Sequence, residues 1–183
     1  MSKRSFHAAG MFPAAMLLAT SLLCAGCGGQ AAAPPPSAAS PLLDQPLKTI
    51  GGRTTAGERI DLEALQGRIV VVKFFAKYCR PCEKTLPGAE RLHRENPDVA
   101  VIGISEDESI ADLDYLVRKH GLSFPIVLDR GNVIAGRFRV TALPATFVTD
   151  QAGKVVWVGG ERQAEADLEQ VIGEIRSGAR PVR

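Results

Sequence analysis

At 183 residues the chain has room for one ordinary domain plus additional segments, and its 45% hydrophobic and 23% charged content suits a packed globular domain. A formal net charge of +2 offers no basic footprint for nucleic acid. Lys3 and Arg4 are the only basic side chains of Lys or Arg type before Lys48, so losing the first 26 residues would leave 20 basic residues against 20 acidic ones. No class of partner is singled out by charge.

The N-terminus reads as an address. Lys3 and Arg4 precede an apolar stretch from Met11 to Leu23, and small residues then lead to Cys27. That order predicts a secretory signal over residues 1–26. A membrane span needs roughly 20 apolar residues; this run is shorter and contains Pro13. Its end, Leu23-Cys24-Ala25-Gly26-Cys27, resembles a bacterial lipoprotein signal, with Cys24 departing from the pattern where Leu is usual. The resemblance implies an acylated Cys27 and a lipoprotein held at a membrane face outside the cytoplasm, on the periplasmic side or the outer cell surface. Ordinary cleavage nearby, freeing the protein, is the alternative.

Residues 27–41 follow as an uncharged Ala/Pro-rich tether containing Pro34-Pro35-Pro36, a solvated spacer that cannot build a core. Globular sequence runs over 42–180. Leu47 to Ile50 and Thr54 to Ile60 read as short extended pieces about the Gly51-Gly52 turn, and Asp61 as the N-cap of a helical turn through Leu65. Ile69 to Phe75 is β-branched and aromatic, a buried strand. Pro81 to Glu95 reads as a helix with a kink at Pro87. Then come a strand Val99–Ser105, a helix Ser109–His120, a strand Phe124–Leu128 and a short helix Val133–Phe138. Ala145–Thr149 and Lys154–Val158 form a hairpin, and Ala164–Ile175 is an amphipathic closing helix. Strands alternating with helices and ending in a hairpin predict an α/β domain with a mixed sheet.

Of four cysteines, Cys24 would leave with the signal and Cys27 would carry lipid, which leaves Cys79 and Cys82. A bridge closing so small a ring constrains little of the unfolded chain. The pair is therefore read as reactive. It follows a hydrophobic strand and opens a helix, where unpaired N–H groups and the helix dipole favour a thiolate. Such settings lower a thiol from about 8.5 to roughly 3.5–7.5. Arg80 adds positive charge beside the sulfur, and Pro81 suits the first helical turn. Cys79 is the expected nucleophile, and Cys82, one turn on, the resolving thiol.

Phe74-Phe75-Ala76-Lys77-Tyr78-Cys79-Arg80-Pro81-Cys82 resembles the active-site strand and turn of thioredoxins. Val101–Ser105, Phe124–Asp129 and Val140–Val148, the last holding Leu143-Pro144-Ala145-Thr146-Phe147, are similar in order to the TlpA/ResA-like branch. The resemblance implies a thioredoxin-like three-layer fold, with a central mixed sheet flanked by helices and a short extended N-terminal extension. It implies a cis Pro144 beside the redox pair, with Leu143 and an aromatic shield at Tyr78 facing the client. It implies an oxidoreductase with no cofactor beyond the Cys79–Cys82 disulfide and no metal, acting as a monomer. Its partners would be exported protein thiols, such as apocytochrome c cysteines, and a membrane thiol-redox partner that regenerates it.

Two departures from that family bear on tuning. Lys73 stands where thioredoxin has a buried Asp, and Thr85 where many ResA-like proteins have Glu. Lys73 either lies near the sulfurs, favouring thiolate and a more oxidising protein, or carries its ammonium out to solvent. His93 and His120 read as solvated or capping histidines, Trp157 as core or a half-buried face, and Glu106-Asp107-Glu108 as the start of a helix. The alternative function is a copper-binding metallochaperone using both thiolates as soft ligands. Related chaperones space their cysteines by three residues and place a His near the loop that here holds Pro144, and no His follows His120. A peroxiredoxin, whose reactive cysteine lies in a different motif, is a third.

Overall fold

The structure, a computed structural model, describes residues 40–160 and 165–181. The signal, Cys27 and nearly all of the tether lie outside the described residues. Five strands form one sheet in the order β3-β2-β1-β4-β5. They are β1 (Ile69–Phe75), β2 (Val99–Ser105), β3 (Ile126–Leu128), β4 (Ala145–Thr149) and β5 (Val155–Gly159). β1 pairs parallel with β2 and antiparallel with β4, while β2–β3 is parallel and β4–β5 antiparallel. The helices are α1 (Arg80–Glu95), α2 (Ile110–His120), α3 (Val133–Arg137) and α4 (Glu165–Arg176).

Each strand sends alternate side chains to opposite faces. Ile69, Val71 and Phe75 meet Leu86, Ala89 and Leu92 of α1, Leu113 and Leu116 of α2, and Leu168, Val171 and Ile172 of α4. Val70, Val72 and Phe74 meet Ile134, Ala135 and Phe138 at α3, together with Leu42 and Ile50. Every residue of β1 and β2 is buried, as a sheet covered on both faces requires. Trp157 belongs to the first of these cores, at 8% exposure.

The extended pieces expected at 47–50 and 54–60 do not pair as strands. Single bridges form instead, Pro46 with Lys154 and Thr54 with Val127. The segment runs as a strap between both sheet edges: Asp44 and Leu47 donate to Val155 and Gly153, and Thr55 donates to Ile126. Alternating pairing with two distant edges leaves no stretch long enough for a strand. Asp61 does cap, its Oδ1 accepting from Glu63 and Ala64 at 2.9 and 3.3 Å, but the chain it starts stays a turn. Both α1 and β3 shift at their starts, α1 beginning one residue earlier at Arg80 and β3 two residues later at Ile126. The α1 helix is unbroken through Pro87.

Gly103, in the middle of β2, leaves space that neighbours occupy. A Cβ there would lie 2.8 Å from Phe124 and 3.0 Å from Ile126 and Phe75. Gly103→Ala is expected to cost about 1–3 kcal/mol through overpacking. Urea unfolding should show a lower midpoint at unchanged slope, and an unshifted midpoint would refute this packing.

Candidate functional site

β1 ends at Phe75, and the chain turns into α1 within four residues. Asp107, only 4% exposed, holds this turn by accepting the Lys77 N–H at 3.0 Å and the Ser105 hydroxyl at 2.8 Å. Cys79 then stands as the N-cap of α1, with extended backbone angles. Its sulfur accepts the Cys82 N–H at 3.1 Å and is bonded to the Cys82 sulfur. Pro81 falls within the first helical turn, where its missing N–H costs nothing. Cys82 is fully buried, whereas Cys79 retains 5% exposure at a groove.

That groove encloses about 650 Å³, lined on one side by Tyr78, Cys79, Arg80 and Pro81 and on the other by Val140 to Leu143, with Glu106 and Asn132. The Leu143–Pro144 peptide bond is cis. Tyr78 is 70% exposed and lines the groove beside Cys79. Burial, then the charges of Glu106 and Asp107, raise its phenol above the ordinary value.

Lys73 does not reach solvent. It lies in the middle of the central strand, on the face that also carries Val71 and Phe75, and α1 covers that face. Its side chain is 1% exposed, and Nζ has the Thr146 hydroxyl as a partner at 3.5 Å. The four-carbon stem is too short to pass the neighbouring strands. Burial lowers its ammonium from 10.5 to about 8.

The acidic run 106–108 does not begin α2. Ser109 caps that helix through Ala111, so helical structure starts at Ile110. The run is spent on the site: Asp107 ties the active turn and Glu106 lines the groove. Glu106 is the groove residue the sequence reading missed, and its position directly after a strand that neighbours β1 was the available signal. His93 packs edge-on against Phe124, and His120 lies 3.8 Å from Glu83. Among the described residues no group of three or more metal-ligating side chains is present.

A Cys-x-x-Cys disulfide capping the helix after the central strand, beside a loop with a cis X-Pro bond, is the arrangement of the thioredoxin fold. Residues 43–158 match the AhpC/TSA family. The chain is 34% identical over 120 residues to the thiol-disulfide oxidoreductase ResA of Bacillus thuringiensis, covering 64% of this chain and 62% of that protein. It is 32% identical over 125 residues to ResA of Halalkalibacterium halodurans, covering 67% and 71%. The chain thus spans less than two thirds of the length of the first relative. A secreted Mycobacterium tuberculosis disulfide oxidoreductase shares the fold at a TM-score of 0.62, with 23% identity over 70% of this chain and 96% of that one. A thiol-disulfide isomerase from Corynebacterium glutamicum does so at 0.64, with 22% identity over 72% and 96%. This chain belongs to the AhpC/TSA family and, among thioredoxin-fold proteins, to the ResA-like thiol–disulfide oxidoreductases.

Lys73 has a measurable consequence for stability. Between pH 8 and 10.5 the unfolded chain keeps the Lys73 proton that the folded chain has released. Unfolding therefore takes up a proton in that window, and stability rises with pH. Below pH 8 both states are protonated and the burial cost is complete. Relative to Lys73→Met, the oxidised wild type should gain about 3 kcal/mol between pH 8 and 10.5. Denaturant unfolding at several pH values measures this, and parallel profiles for the two proteins would contradict it.

Proposed function

We propose that this protein is a thiol–disulfide oxidoreductase that exchanges disulfides with protein clients outside the cytoplasm. The observation that carries the reading is the Cys79–Cys82 disulfide itself, with one sulfur capping α1 at a groove and the other buried behind it. In the reduced protein the helix terminus and Arg80 favour the Cys79 thiolate, which attacks a client disulfide. Cys82 then attacks the Cys79 sulfur of the mixed disulfide and releases the reduced client. The reaction runs backwards when the client is the better reductant. No cofactor beyond the disulfide is required.

The groove supports a peptide client: it is open, walled by Val140 to Leu143 opposite Tyr78, and passes over the accessible sulfur. Leu143, Pro144 and Tyr78 are assigned to facing the client. An N-terminal segment of signal type supports export, and Cys27 supports a lipid anchor with the 27–41 tether as spacer. Among the described residues no helix is long and apolar enough to cross a membrane. The clients are exported protein thiols, among them apocytochrome c cysteines, and a membrane thiol-redox protein regenerates the pair. The protein acts as a monomer.

Direction depends on potential, and such dithiols range from about −270 to about −120 mV. Kinship with ResA favours a reductant. Lys73 acts the other way, because an ammonium buried on the α1 face of β1 stabilises thiolate and hence the reduced state. Equilibration with glutathione should give Lys73→Met a lower potential than wild type; equal potentials would remove Lys73 from the redox site.

The activity has its own test. The Cys82→Ser protein should accumulate mixed disulfides with exported clients through Cys79, while Cys79→Ser should form none. Tight Cu(I) binding by the reduced wild type, with client disulfides untouched, would instead establish the metallochaperone.

A further inference from the structure

Three carboxyl groups converge beside the groove, and their surroundings separate them. Asp107 accepts from Lys77 N–H and the Ser105 hydroxyl. Asp129 accepts from the N–H groups of Ile134 and Ala135 at 2.9 and 2.8 Å. Both side chains thus have their oxygens committed to fixed donors within the fold. Glu106 differs. Its backbone N–H is fixed to the Phe75 carbonyl at 2.9 Å, at the end of the strand leading to Cys79. Its side chain lines the groove that Cys79 lines, and Oε1 is shut off from water with no hydrogen-bond partner among the described residues.

Burial first, then the charges of Asp129 and Asp107, raise the Glu106 carboxyl above its ordinary range. A carboxyl held toward its neutral form at a reactive groove is suited to carry a proton there. Arg80, Tyr78 and Cys79 are the other charged or titratable groups lining the groove.

We propose that Glu106 is the groove acid that protonates the client sulfur expelled when Cys79 attacks. This role rests on the exchange reading above. The Cys79 thiolate gives its electron pair to one client sulfur. The client S–S bond breaks, and its pair goes to the second client sulfur, which takes the proton from the Glu106 carboxyl. Glu106 is left ionised and regains a proton from the next Cys79 thiol or from water. An alkyl thiolate, of pKa about 8.5, is basic enough for this transfer to run downhill. In the reverse direction Glu106 takes the proton of an incoming client thiol.

The test follows formation of the mixed disulfide in the Cys82→Ser background, which isolates the first step. The probes are a peptide with an intramolecular disulfide between two cysteines and an aromatic disulfide whose leaving thiolate is stable without a proton. With the peptide, Glu106→Gln should slow the step about tenfold or more near neutral pH. It should also abolish the limb where the rate, corrected for Cys79 ionisation, falls as the carboxyl deprotonates. Glu106→Asp should keep that limb. With the aromatic probe, Glu106→Gln should react within about twofold of its parent, since no proton is needed. Equal slowing with both probes, or a peptide profile unchanged in Glu106→Gln, overturns the role while leaving exchange intact. A parent protein that forms no mixed disulfide with either probe overturns the exchange reading and this role together.

Discussion

The turn between Phe75 and Arg80 has to convert the central strand into a helix and deliver a sulfur to the helix tip in the process. Asp107 makes this possible by taking the Lys77 N–H from the end of β2, the strand next to β1. With that bond in place, the Cys79 N–H reaches the Ala76 carbonyl at 3.1 Å, and Cys79 falls where the first N–H groups of α1 converge. The same turn puts Cys82 one helical step inward, against the core formed with Phe75 and Leu86. One sulfur therefore meets the groove and the other is screened from it. Dithiol exchange needs that asymmetry, because the client must engage one sulfur before the second displaces it. The turn is itself braced from outside, since Lys77 pairs with Asp112 of α2 and stands over the Tyr115 ring.

Two charged side chains on this part of the sheet stand in contrasting media. Lys73 lies on the α1 side of β1, in apolar surroundings, and burial weakens its hold on a proton. Glu106 lies on the groove side, where burial and neighbouring carboxylates strengthen its hold. Burial thus moves both groups toward neutrality, one by loss of a proton and one by gain. Unperturbed Lys and Glu would each stay in one state at neutral pH, and burial moves both away from that extreme.

Much of the fold was legible because β1, β2 and β4 are continuous runs whose composition allows nothing but burial, and their expected ends coincide with those found. The redox pair was equally legible, since a Cys-x-x-Cys after such a strand has few structural uses. Other features are set by tertiary partners that no local pattern reveals. Thr54 and Pro46 bridge to opposite sheet edges, so extended composition there did not become strands. Asp107 and Glu106 sit in an acidic run that reads as a helix start, yet one is drawn inward by Lys77 and Ser105 and the other faces the groove. Glu90, buried in α1, is accounted for only by the Ser123 N–H and hydroxyl it accepts, 33 residues away. Lys73 was ambiguous because a lysine can lie either way, and the central position of β1 decides it.

The strap over residues 40–60 bears on how a client can approach. An exposed sheet edge is a template for pairing with another chain. Here the strap occupies part of each: it exchanges backbone bonds with Val155 at β5 and donates to Ile126 at β3. Asp44, which Arg180 and Lys154 hold below the usual carboxylate range, fastens the β5 end, so the C-terminal residues secure that edge as well. Strand addition at either edge must therefore compete with bonds already made within the chain. Among the described residues no such strap covers the groove beside Cys79, which leaves it open to the client proposed above.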